Sequence, residues 1–163
     1  MKTKNVGMKK IMFNDNYGLT QAVIERRKSM TRRIIHLTDA DKTYLDTAFD
    51  WDLRARVIID RYAKYKVGEV VAVAQSYKSV FEESLSYAIP RWHWLDDHVG
   101  DKGFDNKMFV RADQMPHQIQ ITEVKIERYK DISEEDYLID DICGKGTLKS
   151  NPWVFVYSFK LIK

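Results

Sequence analysis

The sequence has little of what would place it outside the class of ordinary globular domains. Its single cysteine, Cys143, excludes an internal disulfide framework and is typical of a reducing compartment. Seven glycines and three prolines among 163 residues leave little room for long disordered linkers. No apolar run approaches the ~18–20 residues of a membrane-spanning helix, and the basic N-terminus lacks the apolar core of a secretory signal. We therefore expect one cytoplasmic domain over residues 1–163, with residues 1–8 flexible and residues 76–107 inserted as a loop and helix.

The sequence also has no large excess of positive or negative charge, because the formal net charge is only +3. An interaction with nucleic acid must therefore come from a cluster of basic side chains. The densest cluster is the stretch from Glu25 to Arg33, where five of nine residues are basic and two carry small hydroxyls. We call residues 25–33 the basic stretch. It is either a solvated turn at a helix end, where cations complement the helix dipole, or a site for an anionic partner.

Within the basic stretch, Lys28 and Thr31 are three residues apart and are flanked by arginines. Neighbouring cations favour loss of the Lys28 proton, and a neutral lysine can act as a base toward a hydroxyl such as that of Thr31. Spacing alone favours the solvated turn. Other catalytic and phosphate-binding motifs are absent: there is no P-loop, no serine elbow and no dinucleotide-binding glycine pattern, so we expect no cofactor.

Periodicity and capping residues predict the secondary structure. Thr38 and Asp50 have the chemistry of helix N-caps, and the continuous apolar run Val70–Ala74 predicts a buried strand. The alternation slips at Thr122-Glu123, which predicts a β-bulge. Strands are predicted over 10–14, 70–74, 108–112, 119–126 and 153–161, and helices over 17–27, 38–48, 50–62 and 79–87, with a short acidic helix beginning at Ser133. This pattern is typical of an α+β fold with a small, closed or nearly closed sheet of about five to six mainly antiparallel strands.

The longest stretch without a regular pattern runs from Pro90 to Asp105, and such stretches are often functional. In an extended backbone Trp92 and Trp94 would share one face and could stack nucleobases, although burial is the simpler interpretation. Five residues here are of metal-ligating types but lack a recognised ligand spacing, so we expect a solvated loop and no metal site: His93, Asp96, Asp97, His98 and Asp101.

Several segments together resemble the ASCH domain, a family of PUA-like small β-barrels. The stretch Leu19-Thr20, followed by residues 24–33, is similar to the family's helix and its G-R-K-[ST]-x-T-x-R signature, with Arg26 in place of the usual glycine. Weaker matches follow at residues 65–73, 121–136 and 153–161. The similarity covers residues 9–162 and is closest to versions found in phages and prophages.

This resemblance implies a PUA-like barrel with a basic cleft that binds RNA or a nucleotide. The phosphates would be held by basic side chains and a base would stack on tryptophan: Arg27, Lys28, Arg32, Arg33, Trp92 and Trp94. Some small family members resemble amidohydrolases of acetylated cytidine, and the corresponding catalytic set here is Lys28, Thr31 and, in a region that looks shortened, Asp140. A third alternative is a phage accessory protein that binds a host protein through residues 90–105. No membrane partner and no obligatory metal are expected.

Overall fold

The computed structural model describes residues 7–47, 49–129 and 144–163. The strands are Lys10–Ile11 (β1), Met30–Ile34 (β2), Val70–Val73 (β3), Gln118–Arg128 (β4) and Trp153–Leu161 (β5). The helices are Leu19–Ile24 (α1), Asp39–Asp46 (α2), Trp51–Tyr62 (α3), Tyr77–Ser84 (α4), Trp92–His98 (α5) and Thr147–Ser150 (α6). Short 3₁₀ helices occupy Asp15–Tyr17, Lys107–Phe109 and Ala112–Gln114.

The five strands form one mixed sheet in the order β1-β3-β4-β5-β2. The β1–β3 pair is parallel, whereas β3–β4 and β2–β5 are antiparallel. The predicted α+β class is therefore confirmed. Within the described residues the strand order has two ends, β1 and β2, so a closed barrel is not confirmed.

Local signals account for most of the helices. The side chain of Thr38 accepts a hydrogen bond from the Asp41 amide at 3.2 Å, and that of Asp50 accepts from the Leu53 amide at 3.3 Å. These bonds satisfy amides that have no partner inside the first turn of a helix, which is why α2 and α3 begin where the sequence predicts. Ser76 caps α4 in the same way, and this helix therefore begins at Tyr77, two residues earlier than predicted.

Three segments differ from their predicted structure. The basic stretch, predicted as a helix end and a connection, continues from residue 30 as the strand β2. The predicted strand at 108–112 is wrong, because 3₁₀ helices occupy 107–109 and 112–114. The segment 90–105, predicted to be irregular, contains α5. In β4 the burial alternation changes phase at the exposed pair Thr122 and Glu123, while the bulge itself stays a prediction.

The chain forms two compact units. The first comprises residues up to Ser29, Val70–Gln120 and Lys160–Lys163. Its core gathers side chains from β3, α4, α5 and the segment that precedes β4, namely Ala72, Ala74, Tyr77, Val80, Trp94, Val110 and Met115. The ring of Tyr77 lies at the centre of this core, because it stacks on His98 at 3.8 Å and meets the edge of Trp94 at 5.5 Å.

The second unit comprises Met30–Glu69 and Ile121–Phe159. Both faces of β5 are buried here from Trp153 to Tyr157, which confirms the predicted central strand with two apolar faces. Tyr129, Val154 and Val156 pack together with Ile34 of β2. The indole rings of Trp51 and Trp153 stack with their centroids 5.4 Å apart, so Trp51 is a packing residue of α3.

Candidate functional site

The basic stretch begins at the C-terminal end of α1. Arg26 has a φ of +60°, the left-handed conformation that glycine adopts most easily. Its amide donates to the Val23 carbonyl at 3.0 Å, and the Arg27 amide donates to the Ala22 carbonyl at 2.8 Å. Those two bonds form a Schellman motif, in which a left-handed residue ends the helix. The position at which the ASCH pattern has glycine is therefore one whose backbone favours glycine in this chain.

Arg27 is exposed but already carries a local ion pair. Its guanidinium lies 2.6 Å from the Glu25 carboxylate, which also accepts from the Gln21 amide at 2.9 Å. The bonds from Gln21 and then Arg27 hold the pKa of the Glu25 carboxyl below its ordinary value. Lys28 is half-buried, and its backbone amide donates to the Ala22 carbonyl at 3.0 Å. Arg27, one of the predicted phosphate ligands of this unit, is therefore already paired with a carboxylate.

The other predicted residues of the basic stretch lie on β2, in the second unit. Thr31 is buried opposite Tyr157 of β5, whereas Arg32 and Arg33 are half-buried. Successive side chains of a strand point to opposite faces, so Arg33 shares the face of Thr31 and Arg32 lies on the other face. The two arginines therefore do not form a single clamp.

Around Thr31 and Arg33 the structure adds two phenols that the sequence analysis did not single out. Tyr65 and Tyr157 are buried, with their ring centroids 5.3 Å apart in an edge-to-face contact. Burial raises the pKa of Tyr65 to about 12 against the opposing charge of Arg33. Burial also raises the pKa of Tyr157. This face of β2 is therefore a partly enclosed polar cluster with one arginine.

The predicted stacking pair, Trp92 and Trp94, lies on α5. Residues two apart on a helix point to different sides. Trp94 is buried and its indole nitrogen donates to the Tyr77 carbonyl at 2.9 Å, so its placement in the core corrects its assignment as a stacking residue. Trp92 is 59% exposed and lies against Phe81 with 5.2 Å between ring centroids. Only Trp92 of the pair is accessible to a ligand.

A set of lysine, threonine and carboxylate does occur in the first unit, but at residues that the sequence analysis missed. The Lys107 ammonium lies 2.7 Å from the Asp15 carboxylate and 3.1 Å from the Thr20 hydroxyl. It also donates to the carbonyl of Phe13. These three acceptors use all three N–H groups of the ammonium ion. Lys107 therefore has a structural role and does not act as a base. No sequence motif indicated it, because residues 15 and 107 are far apart in the chain.

A basic pocket lies in the second unit. We call it the Arg128 pocket. It has a volume of 390 Å³ and lies between the end of β2, the start of α2, the end of β4 and the start of β5. Its lining contains three basic residues, one tryptophan and no acidic residue: Ile34, Ile35, His36, Leu37, Lys42, Arg128, Ser150, Asn151, Pro152 and Trp153.

Several contacts hold the side chain of Arg128 in place. Its guanidinium lies 4.2 Å from the centroid of the Trp153 ring and donates to the Asn151 carbonyl at 3.1 Å and to Asp46 at 2.5 Å. The indole nitrogen of Trp153 is buried and has no acceptor among the described residues. His36 and Lys42, which also line the pocket, are exposed. The sequence analysis did not single out these residues as a site, because they come from separate parts of the chain.

Several predicted residues lie outside the described part of the chain. Asp140 and Cys143 fall within residues 130–143, as does the predicted acidic helix at Ser133, so the catalytic set with Lys28 and Thr31 stays a prediction. Across residues 7–47, 49–129 and 144–163, no group of three or more His, Cys, Asp or Glu side chains is arranged to hold a metal ion. In the same residues no helix is both long enough and apolar enough to cross a bilayer.

Comparison of the chain with protein-family models, with curated proteins and with solved structures gave no match.

Proposed function

We propose that this protein binds RNA or a nucleotide, and that the Arg128 pocket is the part of the second unit that holds the anionic ligand. The observation that carries the proposal is the lining of this pocket, which holds three basic residues and a tryptophan and no acidic residue. Arg128 and Lys42 each also pair with a carboxylate outside the lining, Asp46 and Asp39 respectively. A volume of 390 Å³ lies in the range of pockets that take small molecules of nucleotide size.

The chemistry of the lining supports a ligand that accepts hydrogen bonds. Arg128 and Lys42 are cations that attract phosphate oxygens, and the imidazole of His36 offers a ring N–H donor. The guanidinium of Arg128 is stacked on an indole, which keeps its plane fixed and reduces the entropy lost when a ligand binds.

The position of the pocket supports the same proposal. Ile34 to Leu37 line it and directly follow Arg32 and Arg33, so the basic stretch leads along the chain into the pocket. The resemblance of residues 19–33 to the PUA-like ASCH domain points to the same ligand class. A single-stranded RNA would place a terminal nucleotide in the pocket.

Two lysines of the second unit offer a matched test. The side chains of Lys42 and Lys125 are 53% and 56% exposed, and each is ion-paired, with Asp39 at 3.2 Å and with Glu123 at 3.1 Å. Lys42 lines the Arg128 pocket, whereas Lys125 lines a different groove that also contains acidic residues. The variants Lys42→Gln and Lys125→Gln therefore remove the same charge from equivalent surroundings inside and outside the proposed site.

The assay is fluorescence anisotropy with a labelled single-stranded RNA and, separately, a labelled nucleoside triphosphate, over a range of salt concentrations. We expect affinity to fall as salt rises, because bound phosphates release counterions. Lys42→Gln should weaken binding and reduce the salt slope by about one, and Lys125→Gln should do neither. Absence of binding at low salt, or equal losses in the two variants, would refute the proposal.

A further inference from the structure

One side of β4 has no neighbouring strand over much of its length. β4 has eleven residues, but β3 pairs only with the first three of them. The peptide group of Ile121 then bonds to those of Gly68 and Glu69, at 2.8 and 3.0 Å. Beyond Ile121, no strand of the described residues pairs with β4 on the side away from β5. Residues 122–128 therefore form an open sheet edge in the second unit, and such an edge is a template for pairing with another chain.

The peptide groups that face this edge can be identified from one hydrogen bond. The amide of Tyr129 donates at 3.0 Å to the carbonyl of Pro152, the residue before β5. Successive peptide groups of a strand point to opposite sides, so those of Ile126 and Val124 point away from β5. Ile121 also points away from β5, which requires a slip of one residue before Val124. The change of burial phase in this part of β4 agrees with that slip.

This edge and α3 form the two walls of the groove that contains Lys125. We call it the β4 groove. Its volume is 530 Å³, and its lining comprises residues 123–127 and one side of α3 from Trp51 to Ile59. It shares no lining residue with the Arg128 pocket, so an occupant of the groove and a ligand of the pocket can be studied separately.

The charges along β4 are complementary to a second copy of the same strand. Glu123, Lys125 and Glu127 lie on one face, and Lys125 is 3.1 Å from Glu123. In an antiparallel pair of β4 strands, Lys125 lies opposite Glu123 when Val124 is on the two-fold axis. It lies opposite Glu127 when Ile126 is on the axis. Each pair occurs twice by symmetry, and opposite charges across a strand pair are stabilising. The register centred on Lys125 is disfavoured, because it places like charges opposite each other.

The helix wall of the groove has the same mixed charge. Asp52 and Arg56 lie one turn apart on α3 and both line the groove. Trp51 at the same end is 38% exposed and adds apolar surface. A surface that binds its own copy about a two-fold axis must present both partners of every contact. Acidic and basic residues on both walls meet this requirement, whereas a surface for nucleic acid carries mainly positive charge.

We infer that the protein forms a homodimer in which the β4 edges of two copies pair antiparallel about a two-fold axis. The peptide groups of Val124 and Ile126 bond to peptide groups of the second copy, and Lys125 lies opposite a glutamate of that copy. The contact consists of a short strand pair and the adjoining side of α3, so we expect a reversible dimer that forms at micromolar concentrations. The inference goes beyond the proposed function and does not depend on it.

The first test is sedimentation velocity over a series of protein concentrations from low to high micromolar. We expect the mass to rise from that of one chain to that of two. Lys125→Glu leaves three acidic residues in a row on one face and should weaken the dimer by at least about tenfold. Lys149→Glu is the matched control, because it reverses the charge of an exposed lysine of the second unit outside the groove, and it should leave the dimer unchanged.

The second test restores the charge pairs in a mixture of two variants. Glu123→Lys combined with Glu127→Lys makes this face entirely basic, and this double variant should also be monomeric. Mixed in equal amounts with Lys125→Glu, it should form a heterodimer that native mass spectrometry identifies by its mass. A mixture that stays monomeric would overturn the inference. So would a monomeric wild-type protein at high micromolar concentration, which would leave the groove to an extended segment of a different protein.

Amide hydrogen exchange locates the contact residue by residue. In the wild-type dimer the amides of Val124 and Ile126 should exchange as slowly as that of Glu127, which points toward β5. In the monomeric Lys125→Glu variant, those of Val124 and Ile126 alone should exchange at least about tenfold faster, because their partners are lost. Slow exchange at Glu127 in both proteins shows that the variant is folded. Unchanged exchange at Val124 and Ile126 would place the dimer contact elsewhere and overturn the inference.

Discussion

The left-handed residue at the end of α1 gives a prediction with a definite sign. Arg26 has a φ of +60°, is exposed, and follows a helix that ends in a Schellman motif. A residue with a Cβ atom is disfavoured in the left-handed region by about 1–2 kcal/mol, and glycine is not. Glycine loses more backbone entropy on folding, by roughly 0.5–1 kcal/mol relative to alanine. We therefore expect Arg26→Gly to raise the free energy of unfolding by about 0.5–1 kcal/mol.

The assay is urea unfolding followed by far-ultraviolet circular dichroism, supported by thermal melts. For a chain of this length, 1 kcal/mol corresponds to roughly 2–4 °C in the melting temperature. Arg26→Ala is the matched control, since it removes the same side chain and charge but keeps the Cβ atom. The strain argument requires the glycine variant to be more stable than the alanine variant. Equal stabilities, or a less stable glycine variant, would show that the backbone at this position is not strained.

Two further predictions concern packing and ionisation. Gly103→Ala should lower the free energy of unfolding by about 1–3 kcal/mol in the same assay, because its Cβ would lie 2.7 Å from a carbon of the buried Tyr77 ring. Gly7→Ala, which meets no atom within 4 Å, should have no effect, and equal values for both variants would contradict this reasoning. In rapid ultraviolet titration the phenol of Tyr65 should ionise near its pKa of about 12, above the ordinary value of 10. The neutral form of Tyr65 therefore contributes to the free energy of unfolding below pH 10, and this contribution is lost as the pH rises from 10 to 12. If a Tyr65→Phe variant lost the same free energy of unfolding over this pH range, the assignment would be refuted.

The elements that could be predicted from the sequence are those with local causes. The helices α2 and α3 were predicted because Thr38 and Asp50 place a side-chain acceptor at the point where the first helical amides need one. The strand β5 was predicted because its apolar residues occupy both faces over nine positions. Neither feature depends on a distant part of the chain.

The elements that were missed depend on distant partners. The strand β2 has three basic or polar residues in its middle, Thr31 to Arg33, and its own pattern does not suggest a strand. It forms as the antiparallel neighbour of the strongly predicted β5. The helix α5 follows Pro90 in a polar segment, and its packing rests on Trp94 and His98 against Tyr77, an aromatic of α4. The i, i+4 spacing of Trp94 and His98 was a readable signal for this helix.

The candidate sites show the same division. The basic stretch was found from the sequence because its charges are consecutive, yet the strand geometry of β2 places Arg32 and Arg33 on opposite faces. The Arg128 pocket could not be found in this way, because its basic residues come from separate elements and each has an ordinary role in the local pattern. The amide of Gln75 is oriented by its bond to Glu83, and no sequence pattern encodes such an orientation.

The division of the chain between its two units has a consequence for how the molecule can be made and dissected. The first unit combines residues up to Ser29 with Val70–Gln120 and Lys160–Lys163, and the second combines Met30–Glu69 with Ile121–Phe159. The strand β5 supplies residues to both. During synthesis, therefore, the second unit cannot complete its core before β5 has left the ribosome, whereas the core residues named above for the first unit all precede β5. For the same reason no contiguous fragment that stops short of residue 153 contains a whole unit, and point substitutions are the sound way to test each unit separately.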